Sequence, residues 1–496
     1  MPQQFKEKLK QHHQQVDVTQ PLLYIAGEFC PASDNATFAS YSPVTEQKIT
    51  DIPLASEADV DKAVQAARFA LEQGKWCQLS PIQRAQLLFK LADLIDANTE
   101  LLAKLEVLDS GKPYKSVLNG EIPECAEILR YYAGWADKIE GSIINIGKDY
   151  HCSVQREPVG VCGLIIPWNY PLSMAIWKLG PSLAAGCSVI LKPAEQTSLS
   201  ALKLAELAHQ AGFPKGAFNV LTGLGAASTG EAMVRHPGID KIAFTGETKT
   251  AEAIKQNCLH TTKRLSFELG GKSPNIIFAD CDLPAAVDGA INAIFSNMGQ
   301  NCCAGSRTFI EKSIYPQFVD AFVQKANAIQ IGCPFGMATE HGAQIDKAQF
   351  DKILSYIEIG KQEGATCVAG GERFSDVGYF IQPTVFADVN NQMRIAQEEI
   401  FGPVACLIPF DNEQQAIQQA NDTPYGLAAA VWTQDLNRSL RLQKQLKAGT
   451  VWINCYNMVD YHLPFGGFKD SGIGRELGKQ ALDLYLETKT VTMRVR

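Results

Sequence analysis

Two rhythms of hydrophobic and polar positions divide the chain. In residues 57–138 apolar side chains recur at helical spacing, as in RAQLLFKLADLIDANTELLAKLEVLDSG, where residues 109–111 supply a stop. From residue 150 onward, short apolar runs rich in β-formers alternate with stretches of helical pattern. The first of these runs are VGVCGLIIPW, SVILKPA, AFNVLTG, KIAFTG and RLSFELGG. This alternation predicts βαβ units on a parallel sheet.

A second block with the same alternation runs from about residue 275 to 470 and contains PNIIFAD, CVAGG, ACLIPF and GTVWIN. The tail, DLYLETKTVTMRVR, has the two-residue period of a strand. No linker rich in Pro, Gly or Ser separates the blocks, so we expect closely packed domains. Ligands of such sheets bind outside the carboxyl ends of the strands. The residues that follow the runs are therefore candidates: Asn169, Lys192, Glu195, Gly223, Gly246 and Glu268.

Composition narrows the class of protein. A chain of 496 residues with 46% hydrophobic content is long enough for two or three domains. The net charge of -8, without a run of Lys or Arg, argues against nucleic-acid or membrane partners and favours a small-molecule substrate. The 14 cysteines are irregularly spaced, which suits a reducing compartment. With a polar N-terminus and no long apolar run, we expect a cytoplasmic protein.

Two acidic or thiol-bearing stretches indicate chemistry. Cys302 and Cys303 stand side by side in FSNMGQNCCAGSR, and a nucleophilic thiol needs a helix N-terminus, a cation or a base to activate it. Glu268 ends an apolar run before two glycines, where a carboxylate points into a crevice. Burial would raise its pKa, so that it can take a proton near neutral pH. Residue types alone leave a second interpretation open, because free cysteines are commonly buried in cores.

Two further stretches suggest a dinucleotide. Glu195 lies roughly where a dinucleotide-binding fold places the carboxylate that binds the adenosine ribose, and an acid there would repel the 2′-phosphate of NADP. A solvated helix cap is the alternative interpretation of this glutamate. The run GLGAAS, residues 223–228, is a weak match to the glycine-rich fingerprint, and a plain turn before a helix explains it equally.

Six motifs occur together: PWNYPL, LKPAEQT, FELGGKSP, FSNMGQNCCAGSR, EEIFGPV and PFGGFKDSGIGREL. In their order and spacing they resemble the NAD(P)-dependent aldehyde dehydrogenase superfamily, over nearly the whole chain from about residue 20. The resemblance implies an α/β fold in three parts. A Rossmann-like cofactor domain would take residues 1–137 and 160–270, an α/β catalytic domain residues 271–470, and a small β oligomerisation element residues 138–159 and 480–496.

The resemblance also implies catalytic roles. Cys302 matches the nucleophile and Cys303 a bystander. Asn169 and the backbone amide of Cys302 would stabilise the oxyanion of the hemithioacetal. Glu268 matches the base that activates water to hydrolyse the thioester. Two residues match a proton relay of some members: Lys178 and Glu476.

The implied cofactor is NAD. The positions that match its contacts are Ile166, Trp168, Lys192, Glu195, Gly246, Gln349, Glu399 and Phe401. The chain departs from the commonest FTGS pattern of the family, because Glu247 replaces a serine and Ala251 a glycine. A carboxylate beside a pyrophosphate is unfavourable unless it turns away or pairs with a cation.

The substrate is less closely defined. The positions that match the family's substrate tunnel are Glu124, Tyr170, Trp177, Asn457, Val459 and Phe465. The aromatic residues suit an apolar chain or a cationic head. Glu124 and Asp460 favour amino- or trimethylammonio-aldehydes if they face the mouth, and are solvated surface acids otherwise. We expect broad specificity, with a betaine aldehyde or aminoaldehyde dehydrogenase as the alternative.

Two other classes carry less weight. An acylating dehydrogenase would lack the hydrolytic glutamate, and a non-catalytic structural or cofactor-binding relative would have lost the nucleophile or the cofactor carboxylates. A homodimer or homotetramer is implied, in which the tail strand adds to a neighbouring subunit's sheet. Asp109 and Gln196 match positions that hold a structural monovalent cation in some relatives, and no catalytic metal is implied because no cluster has ligand spacing.

Overall fold

The computed structural model describes Val16, Val18 and residues 20–495. The polar N-terminal segment, on which the expectation of a cytoplasmic protein partly rests, lies almost wholly outside these residues. The described strands are β1 (Leu23–Ile25), β2 (Glu28–Cys30), β3 (Thr37–Tyr41), β4 (Lys48–Pro53), β5 (Ser142–Ile144), β6 (Tyr150–Pro158), β7 (Val161–Ile165), β8 (Ser188–Lys192), β9 (Phe218–Val220), β10 (Lys241–Thr245), β11 (Arg264–Glu268), β12 (Pro274–Ile277), β13 (Arg307–Glu311), β14 (Thr366–Ala369), β15 (Thr384–Ala387), β16 (Val404–Phe410), β17 (Ala428–Trp432), β18 (Thr450–Ile453), β19 (Gly472–Ile473) and β20 (Leu486–Arg494).

The α-helices cover the faces of the two large sheets. They are α1 (Glu57–Glu72), α2 (Pro81–Ala97), α3 (Thr99–Ser110), α4 (Tyr114–Ser116), α5 (Ile122–Ala133), α6 (Pro171–Ala185), α7 (Leu199–Ala211), α8 (Thr229–Arg235), α9 (Thr248–Asn257), α10 (Leu283–Phe295), α11 (Tyr315–Ala328), α12 (Lys347–Gln362), α13 (Arg394–Gln397), α14 (Glu413–Asn421), α15 (Leu436–Gln445) and α16 (Gln480–Asp483). A π-helical turn, Val117–Glu121, leads into α5.

The first sheet has the strand order β19-β11-β10-β7-β8-β9-β1-β2. Its five central strands are parallel, and β19, β1 and β2 add antiparallel edges. Strands β7, β8 and β10 are almost entirely buried because helices pack on both faces, as is usual for parallel sheets.

The second sheet has the order β14-β15-β16-β13-β12-β17-β18, and only β14 among these strands runs antiparallel to its neighbour. A smaller sheet pairs β20 with β6 along nine residues and β6 with β5. Much of this small sheet is exposed, and its strands and flanks carry exposed apolar side chains, among them Ile143, Ile144, Ile146 and Met493.

Local sequence explains where the helices near the site begin and end. Ser80 and Gln83 form a capping box at the start of α2. Helix α3 ends at Gly111, whose φ of 74° is a left-handed conformation that glycine adopts without strain. Helix α6 begins at Pro171, which needs no N–H at that position.

The predicted α/β class is confirmed. The helical region predicted for residues 57–138 holds helices α1 to α5, and each apolar run named above contains a strand. The run GLGAAS forms a turn before α8. The domain boundaries stay a prediction. The first sheet spans residues 23–268 with 472–473, the second 274–453, and the small sheet 142–158 with 486–494.

Candidate active site

A cavity of about 500 Å³ opens where the carboxyl ends of β7, β10 and β11 meet the loops that precede β13 and β16. These three parallel strands are neighbours in the first sheet, so the residues that follow them converge at one edge. The loops before β13 and β16 close the cavity from the side of the second sheet. The cavity therefore lies between the two large sheets.

Most of the predicted site residues line this cavity. They are Asn169, Glu268 and Cys302 of the catalytic set, Trp168, Gly246, Gln349, Glu399 and Phe401 of the cofactor set, and Glu124, Tyr170, Trp177, Asn457, Val459 and Phe465 of the substrate set. Five predicted residues lie outside the lining: Ile166, Lys178, Lys192, Glu195 and Glu476.

Cys302 reaches the cavity from a tight turn. Asn297, Met298 and Gly299 have successive positive φ values of 49°, 57° and 73°. A side chain at Gly299 would come within 2.2 Å of the Gly402 backbone, so a glycine is required there. The turn lets the chain leave α10 and bring Cys302 beside Glu268, whose charge acts on the thiol.

The surroundings of the Cys302 thiol oppose its ionisation. Its hydrogen bond with the Cys303 thiol and its burial raise the pKa of Cys302 well above the ordinary value. The acidic side chains of Glu268 and Glu399 raise this pKa further. These surroundings disfavour the thiolate, so a nearby base would help to form it.

Cys303 also lines the cavity. Its thiol lies 3.3 Å from the side-chain oxygen of Asn301, and its backbone carbonyl accepts a hydrogen bond of 2.8 Å from the Tyr456 hydroxyl. Because both cysteines line the cavity wall, their positions alone do not show which thiol is the nucleophile. The nucleophilic role of Cys302 stays a prediction.

Glu268 is the last residue of β11 and only 6% exposed. Among the described residues, neither of its carboxylate oxygens has a hydrogen-bond partner. Burial, and then the charge of Glu476, raise the pKa of Glu268 well above its ordinary value. The predicted raised pKa is confirmed. Such a carboxylate can accept a proton near neutral pH.

A buried ion pair lies behind Glu268. The Lys178 ammonium is fully buried, forms an ion pair with the Glu476 carboxylate and donates a hydrogen bond of 2.6 Å to the Thr245 hydroxyl. The second carboxylate oxygen of Glu476 has no partner among the described residues. Because Glu476 and Lys178 both act on the pKa of Glu268, the three groups are electrostatically connected.

Asn169 precedes α6 and is 6% exposed. Its side-chain amide donates one hydrogen bond, of 3.0 Å, to the Gln300 carbonyl, which leaves a second N–H for another acceptor. Its backbone carbonyl accepts hydrogen bonds from Lys112 and Asn297. Among the described residues, nothing accepts a hydrogen bond from the backbone N–H of Cys302. Two donors are therefore free near the thiol.

Glu399 also lines the cavity. It accepts a hydrogen bond of 3.1 Å from the Gly271 N–H, and burial raises its pKa to about 7. A side chain at Gly270 would come within 2.0 Å of the Glu399 carboxylate, which explains the glycine. The Gln349 amide donates to the backbone carbonyls of Ile400 and Phe401, at 2.9 and 2.7 Å.

The two departures from the FTGS pattern have structural explanations. Glu247 lies at the N-terminus of α9 without capping it, and its exposed carboxylate is 3.9 Å from the ammonium of Lys352, which also lines the cavity. Ala251 is fully buried in the core beneath the helix. The carboxylate thus has a cation partner, and the extra methyl group of Ala251 packs in the interior.

Lys192 and Glu195 follow β8 at the edge of the site. The Lys192 ammonium is buried, donates to the Pro193 carbonyl and lies 3.9 Å from the Glu195 carboxylate. Burial lowers the pKa of Lys192 to about 8. The helix-cap interpretation of Glu195 is wrong, because α7 begins at Leu199 with Ser198 at its cap position. The N–H of buried Ile166 donates to the Lys192 carbonyl.

The substrate wall is aromatic with one uncompensated acid. The rings of Trp177 and Phe465 are 5.5 Å apart and nearly perpendicular. Glu124 lines the cavity, and burial, then repulsion by Glu121 and Asp460, raise its pKa to about 6. Asp460 is outside the lining and accepts a hydrogen bond from the backbone N–H of His462. Of the two acids proposed for the mouth, only Glu124 is therefore at the cavity wall.

Asp109 and Gln196 have separate hydrogen-bond partners. One oxygen of the buried Asp109 carboxylate accepts from the Leu199 N–H and the other has no partner among the described residues. The Gln196 amide donates to Asp346 at 3.1 Å. No group of three or more His, Cys, Asp or Glu side chains suited to a metal ion occurs in the described part of the chain.

Comparison with known proteins identifies the family. The family model described as "Aldehyde dehydrogenase family" matches residues 29–491. The chain belongs to the aldehyde dehydrogenase family. The resemblance read from the six motifs is thereby confirmed.

Individual relatives cover almost the whole chain. An aldehyde dehydrogenase of Emericella nidulans is 49% identical over 478 residues, which are 96% of each chain. The NAD+ complex of a Bacillus cereus aldehyde dehydrogenase is 48% identical with a TM-score of 0.95, over 100% of this chain and 99% of that one. A P. syringae indole-3-acetaldehyde dehydrogenase in complex with NAD+ is 42% identical with a TM-score of 0.96, over 98% and 99%. The expected aldehyde dehydrogenase fold is confirmed.

Sequence reasoning missed several residues of the site. Glu121 and Lys352 line the cavity, and Lys112 lies directly behind it. Glu121 is carried inward by the π-helical turn before α5, a feature that often marks functional sites but has no clear signal in the sequence. Lys112 follows the glycine that ends α3, and that position gives no hint of its partners, which come from residues 121 and 169–170.

Proposed function

We propose that this protein oxidises aldehydes to carboxylic acids, with NAD as the hydride acceptor. The observation that carries the proposal is the convergence of Cys302, Glu268 and Asn169 on one cavity that also contains Glu399 and Phe401. Thiol, base, oxyanion donor and cofactor contacts are the parts that this reaction needs.

The residues present fit NAD. The N-terminus of α9 opens towards Gly246 and Glu247 in the cavity lining, and the buried hydroxyl oxygen of Thr248 has no partner among the described residues. A helix N-terminus with free donors suits a pyrophosphate. We assign the adenosine ribose to Lys192 and Glu195, and two solved relatives contain NAD+.

The remaining cofactor residues surround the nicotinamide end. Glu399 would hold the nicotinamide ribose, and Gln349 fixes the backbone beside Phe401 through two hydrogen bonds. The rings of Trp168 and Phe401 meet edge to face at 5.2 Å. When bound, NAD accepts the hydride that leaves the substrate carbon.

Catalysis begins with the Cys302 thiol. Glu268 takes the thiol proton, because its own raised pKa makes it a proton acceptor near neutral pH. The sulfur then bonds to the aldehyde carbon while the carbonyl π electrons move onto the oxygen. The oxyanion lies between the second N–H of the Asn169 amide and the backbone N–H of Cys302.

Loss of hydride leaves the acyl group on Cys302 as a thioester. Glu268 takes a proton from a water molecule, the hydroxyl oxygen bonds to the acyl carbon, and the carbon–sulfur bond breaks to release the acid and the thiolate. Between the two steps Glu268 must lose its first proton. Glu476 raises the pKa of Glu268 and Lys178 lowers it, and this ion pair would carry that proton onward.

We propose a broad range of aldehydes as substrates. Tyr170, Trp177, Val459 and Phe465 form a wall that binds apolar chains through burial rather than through directed hydrogen bonds. One observation favours the second candidate, an aldehyde with an ammonium or trimethylammonium group. That observation is the acid Glu124 in the wall. Burial raises its pKa, and the charges that raise this pKa further belong to two other acids, Glu121 and Asp460.

The assembly and location of the protein are further proposals. Within the described part of the chain, the exposed sheet of β5, β6 and β20 has two unpaired edges and exposed isoleucines, which supports a homodimer or a homotetramer. Light scattering on the purified protein would measure its mass. No helix in the described part of the chain is long and apolar enough to cross a membrane. We keep the cytoplasm as the proposed location.

The test of the proposed function uses the two adjacent cysteines as a matched pair. With propanal and NAD, we expect Cys302→Ala to abolish the rise in NADH absorbance and Cys303→Ala to keep a sizeable fraction of it. An equal loss in both variants would contradict the assignment of the nucleophile. Loss in neither would contradict thioester chemistry altogether.

A further inference from the structure

Lys112 binds three parts of the cavity wall through one ammonium group. It donates a hydrogen bond of 2.9 Å to the backbone carbonyl of Asn169, forms an ion pair with the cavity-lining carboxylate of Glu121, and lies 3.9 Å above the ring of Tyr170. The side chain of Lys112 is only 2% exposed. It does not line the cavity, so it cannot bind the substrate directly.

A lysine is an unexpected residue at this point. The three groups it binds lie around the N-terminus of α6, where the helix dipole disfavours a positive charge. The cost is offset by Glu121, whose carboxylate pairs with the ammonium. Burial raises the pKa of the nearby Glu106 to about 7, and the charge of Lys112 opposes that rise. The carboxylate of Glu106 in turn accepts a hydrogen bond from the Leu172 N–H in the first turn of α6.

The Asn169 carbonyl is the point on which these contacts converge. It accepts from Lys112 and, at 3.0 Å, from the side chain of Asn297 in the turn that leads to Cys302. The side-chain amide of Asn169 is fixed at its other end by the Gln300 carbonyl. The orientation of the Asn169 amide relative to Cys302 therefore depends on Lys112 from one side and on the cysteine turn from the other.

We propose that Lys112 is a positioning residue, which holds Asn169 so that its free N–H meets the oxyanion formed on Cys302. This inference rests on the proposed function, since it assumes that Asn169 stabilises the oxyanion. Small displacements of an oxyanion donor lower the rate strongly, because the stabilisation depends on a donor fixed in advance. A buried ion pair that served stability alone would not act through Asn169.

The test is a double-mutant cycle in the full-length protein with propanal and NAD. We expect Lys112→Met to lower kcat/KM for propanal by at least about 20-fold in the wild-type background, and by less than about threefold in the Asn169→Ala background. Equal fold losses in the two backgrounds, or no loss in either, would overturn the inference. Lys203→Met, which breaks another Lys–Glu pair, with Glu206, is the matched control and should leave the rate unchanged.

Two readouts separate positioning from general damage to the fold. NADH binding, followed by its fluorescence, should change less than about twofold in Lys112→Met. Alkylation of Cys302 by iodoacetamide, measured in a Cys303→Ala background, should also stay within about twofold, because alkylation forms no oxyanion. Parallel losses in oxidation, NADH binding and alkylation would mean that Lys112 supports only the structure, and would overturn the inference.

A second variant keeps the test informative if Lys112→Met does not fold. Lys112→Arg retains the charge, but its planar fork cannot reproduce one ammonium that meets a carbonyl, a carboxylate and a ring face. We expect it to fold and to lose kcat/KM for propanal by about fivefold or more, again only when Asn169 is present. If Asn169→Ala alone keeps full activity, the oxyanion assignment fails and this inference with it. If Asn169→Ala is impaired while Lys112→Arg is fully active in the wild-type background, the inference alone fails.

Discussion

The acidic side chains Glu268 and Glu247, at opposite ends of the cavity, differ in their burial and in their partners. At the catalytic end, Glu268 is buried, has no hydrogen-bond partner among the described residues and has a strongly raised pKa. At the cofactor end, the Glu247 carboxylate is exposed and lies 3.9 Å from Lys352. A buried carboxylate without partners costs folding free energy, so its presence at this position points to chemistry, whereas an exposed pair adjusts binding by small amounts.

The largest expected effect on the rate comes from a substitution at the catalytic end of the cavity. Glu268→Gln should lower kcat by about 100-fold or more, because a glutamine cannot take a proton from the thiol or from water. In the wild type, kcat should fall as pH falls through the raised pKa of Glu268, since the carboxyl is then protonated. The glutamine variant should lose this acidic limb. Steady-state NADH formation between about pH 5 and 9 measures both the drop in kcat and the loss of the acidic limb.

Glu358→Gln is the control for this prediction, because Glu358 forms an exposed pair with Lys361. It should leave the rate and the pH profile unchanged. A Glu268→Gln variant that retained the acidic limb would assign that limb to another group, and one with wild-type kcat would remove Glu268 from the mechanism.

Sequence and structure agree best where function depends on strand ends. Asn169, Gly246 and Glu268 follow three apolar runs, and the parallel sheet brings those three ends together at one edge. The period of the pattern predicts each strand, and the general geometry of parallel sheets predicts where its end leads. The convergence of these residues at one edge could therefore be predicted from the pattern, whereas the roles of Asn169 and Gly246 came from the resemblance to the family.

Agreement is poorer where a role depends on contacts between distant segments. Asp460 follows two cavity residues, Asn457 and Val459, yet its side chain turns to His462 instead. Lys112 acquires its partners only when the segment after α3 meets Glu121 and residues 169–170. Periodicity and spacing describe positions along one element and do not specify which distant residue a long side chain will meet.

The next effect in size concerns the adenosine end of the cofactor. We expect kcat/KM with NAD to exceed that with NADP by at least about tenfold, because the Glu195 carboxylate repels a 2′-phosphate. Glu195→Gln should lower the ratio of kcat/KM with NAD to kcat/KM with NADP by a similar factor. The side chain of Glu206, which pairs with Lys203 in α7, provides the control variant Glu206→Gln. Comparable efficiency with both cofactors in the wild type would show that Glu195 does not govern the choice.

A smaller effect is expected at the substrate wall. Glu124→Gln should lower kcat/KM for 4-aminobutanal relative to propanal by about three- to tenfold, because it removes the acid that attracts an ammonium group. The wild-type preference should grow as pH rises through about 6, where Glu124 loses its proton. Glu127→Gln, on the same helix but outside the cavity lining, is the control.

A panel of propanal, phenylacetaldehyde, 4-aminobutanal and betaine aldehyde decides between the two substrate proposals. Broad specificity predicts rates within about tenfold of one another, which corresponds to about 1.4 kcal/mol of discrimination. A larger advantage of the cationic aldehydes would make the second candidate the function. An unchanged preference in Glu124→Gln would show that the acid does not contact the substrate.

The smallest expected effect comes from a substitution at the cofactor end of the cavity. Glu247→Ser should tighten NAD binding by about two- to fivefold, because it removes an exposed negative charge beside the pyrophosphate site at the N-terminus of α9. The gain should shrink as salt screens the charge, and Glu252→Ser on the same helix should show less of it. Weaker binding in Glu247→Ser would mean that the carboxylate holds Lys352 in a position the cofactor needs. The exposed pair would then be part of the binding site, and the contrast with Glu268 would lie in burial alone.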